Sequence, residues 1–266
     1  MKRRLRQAAA SYGSLLRNNP GHALAARHAL RLFRQRAIYS FIPKNACSTM
    51  RLTLAVENGC IADEQDFNWI HQNNDTFAAD LESLLTADYT FVILRCPFAR
   101  LASAYLDKLV ERDYQLWNLR MHDHYDFEPD NLTFREFVKK LEKPPLRRMD
   151  IHWRPQTDFL VYEDYDAYFP LEDFSQAKQE LEVRLGITIM DARHLTRHGT
   201  DQYDLVRDVC FTDAAPPAIR SMKGTGQCPA PSAMYDDETI SLVRRHYAGD
   251  LALYRSVFGE SGILFP

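Results

Sequence analysis

The run "YTFVILR", residues 89–95, constrains the fold more than any other stretch of the chain. It is continuously apolar, β-branched and aromatic, with no polar alternation. That is the pattern of a strand covered on both faces, as in a parallel sheet. Parallel neighbours cannot be joined by a hairpin and need crossover connections, usually helices. Cys96-Pro97 ends the strand, and "FARLASAYLDKLV" then reads as a helix with Pro97 in its first turn. "AIYSFIP" (37–43) is a second, shorter apolar run, and "DFLVYEDY" (158–165) is a third strand candidate. Strands alternating with helical segments predict an α/β fold, a P-loop-like parallel sheet flanked by helices.

The helical segments carry recognisable ends. From Thr49 a helix is expected to run to "ENG", with Gly59 beyond its end. Thr133 and Glu136 have capping-box spacing, ahead of Phe134, Phe137, Val138 and Leu141 on one face. "LEDFSQAKQELEVRLG" places Phe174, Ala177, Leu181 and Leu185 on a stripe and stops at Gly186. A last long helix is expected at about 236–258, with Ile240, Val243, Tyr247, Leu251 and Tyr254 facing inward. Residues 111–131, with Trp117 and the pair His122 and His124, read as a long loop of the kind that contacts substrate.

The 266 residues suffice for one domain that removes roughly 70–75% of its unfolded surface from water. We expect that domain over 37–266, preceded by a basic helical extension over 1–36. The extension reads as a solvated helix, with peripheral membrane contact as its alternative. A net charge of −3 gives no general attraction to nucleic acid. Five scattered cysteines without a CxxC pattern predict free thiols in a reducing compartment, with a Cys210–Cys228 bridge left open. The basic start lacks a long apolar core, and no stretch approaches the ~20 apolar residues of a membrane span, so a cytoplasmic protein is expected. No ligand cluster asks for a metal.

Two basic sites each follow a strand. In "FIPKNACSTMRLTLA" (41–55), Lys44 leaves the strand end and residues Asn45, Ala46, Cys47, Ser48 and Thr49 lead into a helix. Amides at a helix N-terminus bind an anion with help from the helix dipole, and Lys44 with the two hydroxyls would add to that. A Walker loop would read GxxxxGK[ST]; here lysine comes first and glycine is absent, which argues against an ordinary ATPase. In "LRCPFARLASAY" (94–105), Arg95 sits at the end of the best strand and Ser103 about two turns into the next helix. Ligands of open α/β sheets bind beyond the carboxyl ends of strands, so Lys44 and Arg95 are expected to face one crevice. A guanidinium fork beside a hydroxyl suits a phosphate, and two such sites suggest a ligand with two separated anionic groups.

These residues carry a resemblance. "IPKNACSTMR" resembles the 5′-phosphosulfate loop, and "VILRCPFARLASAYLDK" the 3′-phosphate motif, of sulfotransferases. More narrowly, the chain resembles the carbohydrate sulfotransferases that modify glycosaminoglycans and related glycans. "LTFREFV", then "HWRPQ" (152–156), then the closing "YAGDLALYRSVFG" agree in order. Cys96 stands where that family usually carries an acidic residue, and the cysteine pair that often follows the HWRP segment is absent. The resemblance implies 3′-phosphoadenosine 5′-phosphosulfate (PAPS) as donor and a glycan or glycolipid as acceptor, and fits a bacterial-like relative.

Sulfuryl transfer, like phosphoryl transfer, asks the protein mainly to position reactants and to stabilise spreading charge. Lys44 would balance charge on the leaving phosphate. The acceptor hydroxyl needs a base. His71 lies between the two anion motifs, where the resemblance implies a catalytic histidine, and His152 is its rival. Arg154 is a candidate for acceptor anions. Lys223, in "RSMKGTGQ" (220–227), is a candidate for a basic loop closing over the nucleotide. A P-loop nucleotide kinase and a non-catalytic nucleotide- or glycan-binding module are the competing readings; metal-independent turnover would exclude the first.

Overall fold

The computed structural model describes residues 3–8, 15–196 and 202–266. The chain divides into two compact units, one of residues 1–94 with 156–197 and the other of 95–155 with 198–266. The predicted strand 89–95 is β3 (Tyr89–Leu94), and all six of its residues are buried. It lies in a four-stranded sheet of order β1-β2-β3-β4, with β2 at Ala37–Ser40 and β4 at Ala167–Pro170. β2 pairs parallel with β3 and β3 parallel with β4.

Two expectations about this sheet need correction. Residues 29–32 do not belong to a helical extension. They form β1 (Ala29–Leu32), antiparallel to β2, with Leu30 and Leu32 in the core. Among the described residues before it, the α-helices are Leu15–Asn18 and Pro20–Arg27, the second capped by the Asn19 side chain on the His22 amide. The other correction concerns 158–165, which is not a strand. Gln156–Phe159 is a short 3-10 turn, and Tyr165 anchors the segment through its hydroxyl, bonded to Ser40 at 2.6 Å and to the Val161 amide at 3.0 Å. The ladder starts only after Asp166, whose carboxylate takes the Thr90 amide at 2.7 Å and Arg3 at 2.6 Å. An apolar run of this length fits a buried turn as well as a strand, and side-chain hydrogen bonds decided between them.

In this unit the aromatic stack Tyr39–Phe91, 5.2 Å between centroids, forms the centre of one sheet face. Met50, Leu54 and Ala55 of the helix Cys47–Glu57 join the same core. So do Ala177 and Leu181 of the helix Phe174–Leu185, which ends at Gly186 with φ +64° as its sequence predicted.

The second unit is mainly helical, with a two-stranded parallel ribbon of β5 (Asp204–Val206) and β6 (Gln227–Pro229). Its core is built from large aromatics whose polar tips donate to backbone carbonyls. Tyr235 bonds Phe98 O at 2.8 Å, Tyr105 bonds Leu132 O at 2.8 Å and Trp153 bonds Leu146 O at 3.0 Å. Burying such side chains is favourable only when those tips are satisfied. Thr133 caps Phe134–Lys140 as expected. Arg135 of that helix meets Asp213, Asp236 and Glu238 together, and the three carboxylates hold its guanidinium far above its ordinary range.

Three sequence expectations change here. The stretch 111–131 is not a bare loop but contains a helix, Tyr114–His122, seated by buried Gln115, Leu116 and Leu119. Asp123, just beyond it, is buried and paired with Lys140 and Lys143 at 2.6 and 2.8 Å. The last long helix is two, Asp237–His246 and Ala248–Phe258, broken at Tyr247, whose buried hydroxyl donates to Trp153 O at 2.6 Å. Finally, 220–227 is not a loop: Pro216–Gly224 is helical, and the chain then turns at Gly226, with φ +85°, into β6.

Candidate active site

The loop between β2 and the helix Cys47–Glu57 solves the problem posed by its missing glycines. Lys44 has φ +71° and Ala46 φ +53°, both in the left-handed region. Side chains rarely adopt that region, at a cost of roughly 1–2 kcal/mol per residue. Asn45, between them, is fully buried and holds the loop in place. Its side-chain amide donates to Ile93 O of β3 at 2.9 Å and to Gln156 Oε1 at 2.6 Å. The first intrahelical bond is Met50 N to Ala46 O, at 3.0 Å, so the amides of Cys47, Ser48 and Thr49 lie in the open first turn. No acidic residue occupies that turn. Peptide units turned in this way make an anion-binding concavity, and Lys44 beside it supplies charge.

The hydroxyls of the loop have different roles. Thr49 is buried, and its Oγ1 accepts the Ala192 amide at 3.2 Å, which ties it to the 190–192 segment. Ser48 is half-buried at the helix start and is the better hydroxyl for a ligand. Tyr39, deep in the same unit, has its phenol pushed well above its ordinary value by burial, with Cys47 adding to the effect.

His71 closes the short helix Trp69–Gln72 in this unit. It is exposed, with its ring edge-on to Phe67 at 5.2 Å. Arg51, buried in the helix that follows the loop, reaches Ile70 O at 3.4 Å and packs its guanidinium on Phe41 at 5.0 Å. That contact links the segment carrying His71 to the loop helix, a role the sequence reading did not assign to Arg51.

In the second unit, Arg95 is half-buried immediately before Cys96 and Pro97, and Ser103 is buried in the helix Pro97–Ala104. The helix continues into a π turn, Tyr105–Leu109, which buries Asp107 and Lys108. Burial alone would push the Lys108 ammonium down; Asp107 and Asp113 reverse this and hold it above its ordinary value. Arg100, on the same helix, donates to Arg154 O at 2.7 Å and Ile151 O at 3.0 Å, pinning the "HWRP" segment.

Within that segment His152 Nδ1 lies 2.7 Å from Asp150 Oδ1, which also accepts the His152 amide at 2.9 Å. A carboxylate on one ring nitrogen fixes the orientation of an imidazole. The aspartate was missed in the sequence, although its place two residues ahead was visible. Arg154 is half-buried beside this pair. Lys223 lies in the last turn of Pro216–Gly224, where its ammonium pairs with Glu111 and donates to Leu106 O at 3.3 Å. Those partners give it a structural role in the second unit.

All five cysteines, including Cys210 and Cys228, are free thiols. Burial pushes Cys228 up to about 11. Among the described residues there is no group of three or more His, Cys, Asp or Glu able to hold a metal ion, and no helix long and apolar enough to cross a membrane.

Residues 27–255 match the family model described as "Sulfotransferase family". The chain is 31% identical over 176 residues to "Carbohydrate sulfotransferase 14" of Homo sapiens, an alignment spanning 59% of this chain and 46% of that protein. It is 30% identical over 175 residues to the Mus musculus protein of that name, with 59% and 46% covered. The Danio rerio protein is 29% identical over 145 residues, with 48% and 40% covered. The chain thus spans less than half the length of the curated relatives it matches. No solved structure matches it.

Proposed function

The chain belongs to the sulfotransferase family, and from that premise we propose that it transfers a sulfuryl group from PAPS, the co-substrate the family implies, to a carbohydrate hydroxyl. The observation that carries this reading is the glycine-free loop of Lys44 and Ala46, held left-handed by the Asn45 clamp. Left-handed side-chain residues also occur at Arg36, Arg112, His124 and Tyr125; here the pair flanks a buried, hydrogen-bonded asparagine, and strain offset in that way is characteristic of functional sites. In this reading Lys44, the amides of residues 46–49 and the Ser48 hydroxyl hold the 5′-phosphosulfate, whereas the Asn45 amide donates to Ile42 O at 3.2 Å and its side chain is the clamp. Arg95 and Ser103 hold the 3′-phosphate, and Arg154 attracts acidic groups of the acceptor.

The acceptor oxygen bonds to sulfur as the bond between sulfur and the bridging phosphate oxygen breaks. Its proton passes to an imidazole, and Lys44 balances the charge gathering on the leaving phosphate. The Asp150 partner supports His152 as the base. The Arg51 link between the His71 segment and the loop helix supports His71 as the second reading. Free thiols support a reducing, cytoplasmic setting.

The test incubates the protein with labelled PAPS and unsulfated chondroitin, heparosan and hyaluronan, with products read by mass spectrometry. Sulfated glycan without added divalent metal is the expected result. Phosphate transfer from ATP that needs magnesium, with no sulfated product, would replace this reading with the kinase. Under working conditions, the histidine whose alanine variant loses turnover while nucleotide affinity stays intact is the base. Its activity should fall on the acid side as the imidazole gains a proton.

A further inference from the structure

The helix Tyr114–His122 has two unlike faces. Gln115, Leu116 and Leu119 are buried, whereas Tyr114, Trp117 and Met121 are 60%, 47% and 51% exposed. Their i, i+3, i+7 spacing puts these three on one side of the helix. Tyr125, 63% exposed, follows in the turn beyond, with the Arg120 guanidinium 5.3 Å over its ring. Single exposed apolar residues are ordinary, but a contiguous aromatic stripe on a helix marks a binding surface.

The chemistry of the stripe selects its ligand. Two of its three members are aromatic, and half-buried Asn118 follows Trp117 on the helix. Flat apolar faces with polar rims match a pyranose, which has C–H faces and a hydroxyl edge. Successive anchors are about 4.5 and 6 Å apart along the axis, on the scale of neighbouring rings in an extended sugar chain. The stripe also starts within electrostatic reach of Asp150, the partner of the candidate base His152, in the same unit. The Tyr114 phenol is pushed up by burial first, then by Asp150, the carboxylate bonded to His152, and by Asp113.

Other occupants fit less well. A helix lying on an anionic membrane carries several cations on its flanks. Here the one permanent cation of the helix, Arg120, is already paired with Glu128 and bonded to Phe127 O. A stable contact between copies needs about 800 Å² per partner, far more than three side chains present.

We propose that the Tyr114–Trp117–Met121 face is an acceptor subsite, on which successive sugar rings of a polysaccharide stack as the chain leaves the hydroxyl being sulfated. This rests on the carbohydrate sulfotransferase reading above.

The test uses the full chain with unsulfated chondroitin polymer and its disaccharide as probes. Trp117→Ala should raise KM for the polymer about three- to tenfold, the loss expected for one stacked aromatic, and raise it less for the disaccharide. Trp117→Phe should restore most of the affinity, and adding Tyr114→Ala to Trp117→Ala should deepen the loss. An unchanged polymer KM in Trp117→Ala, with 3′-phosphoadenosine 5′-phosphate bound and sulfate transferred normally, overturns the subsite and leaves the transferase reading standing. If the unmutated protein transfers sulfate to neither probe, nor to heparosan or hyaluronan, that reading has failed. The subsite is then judged by tryptophan fluorescence on titration with the polymer: quenching that Trp117→Phe abolishes retains it, and no quenching overturns it. Self-association, or binding to phosphatidylserine vesicles, that Trp117→Ala abolishes would overturn it in favour of a second copy or a membrane.

Discussion

Each compact unit begins its candidate ligand site at a junction that follows a strand, and the two junctions are built differently. After β2 the chain takes a loop with two left-handed residues before the helix Cys47–Glu57 begins. After β3 only Arg95 and Cys96 precede Pro97, which starts its helix with φ already near the helical value. The first junction leaves backbone amides open at the helix start and spends conformational strain to do so. The second keeps the backbone relaxed and offers a side chain on a stiff mount. A transferred group whose charge changes during reaction is best met by preorganised amides and an ammonium. A distal phosphate that does not react needs only a firm guanidinium.

The sharpest way to break this comparison is to remove one charge from each junction. Lys44→Ala should lower turnover by roughly 10²–10³, as expected for loss of a transition-state charge partner. Its affinity for 3′-phosphoadenosine 5′-phosphate should change far less. Near-normal turnover would move the reacting end of the donor away from this loop.

Arg95→Ala should do the opposite. Loss of a charged hydrogen bond worth about 1.5–3 kcal/mol weakens binding of the same nucleotide by roughly 10- to 150-fold. Calorimetry should find binding of adenosine 5′-phosphosulfate, which lacks the 3′-phosphate, almost untouched. Equal weakening of both nucleotides would deny Arg95 its assigned phosphate.

The backbone half of the comparison is tested at Ala46. Glycine has no penalty at φ +53°, so Ala46→Gly should be neutral or stabilise by up to about 1 kcal/mol in denaturant unfolding. A loss of about 1 kcal/mol, the usual result of Ala→Gly in ordinary helical backbone, would show that the strain is absent.

A pH dependence is expected in the second unit. Burial, and secondarily Arg147, pushes His246 down to about 4 from 6.5, and its Nδ1 is buried without a hydrogen-bond partner among the described residues. The folded state then binds fewer protons than the unfolded state below 6.5. Its contribution is present above that value and is lost as pH falls toward 4. Protection of the amides around His246, taken relative to intrinsic exchange, should therefore weaken between pH 6.5 and 4, and His246→Gln should flatten that loss. An unchanged pH dependence in His246→Gln would contradict the assignment.

Much of the site could be read from local signals. Lys44 and residues 45–49 follow a strand and open a helix, and Arg95 and Ser103 follow a strand whose composition admits only burial. Thr133 and Gly186 mark helix ends by chemistry that acts within four residues. The misses share one cause. The 158–165 segment, the helix Tyr114–His122 and the break at Tyr247 depend on partners far along the chain: Ser40 for Tyr165, Lys140 and Lys143 for Asp123, Trp153 for Tyr247. The 220–227 segment was read as a loop for the same reason: Lys223 of its helix pairs with Glu111, 112 positions away.

What the chain determined by itself was the parallel pairing of β2 and β3 at the centre of an α/β sheet and the order of its two basic junctions. Hydrophobic runs, proline placement and cap residues act locally and leave few alternatives. Tertiary structure decided how a loop without glycine could hold two left-handed residues. The Asn45 clamp draws on Ile93, 48 positions away, and on Gln156, 111 positions away. Buried hydrogen bonds between such distant groups offset backbone strain only once the sheet has formed, so no local pattern announces them.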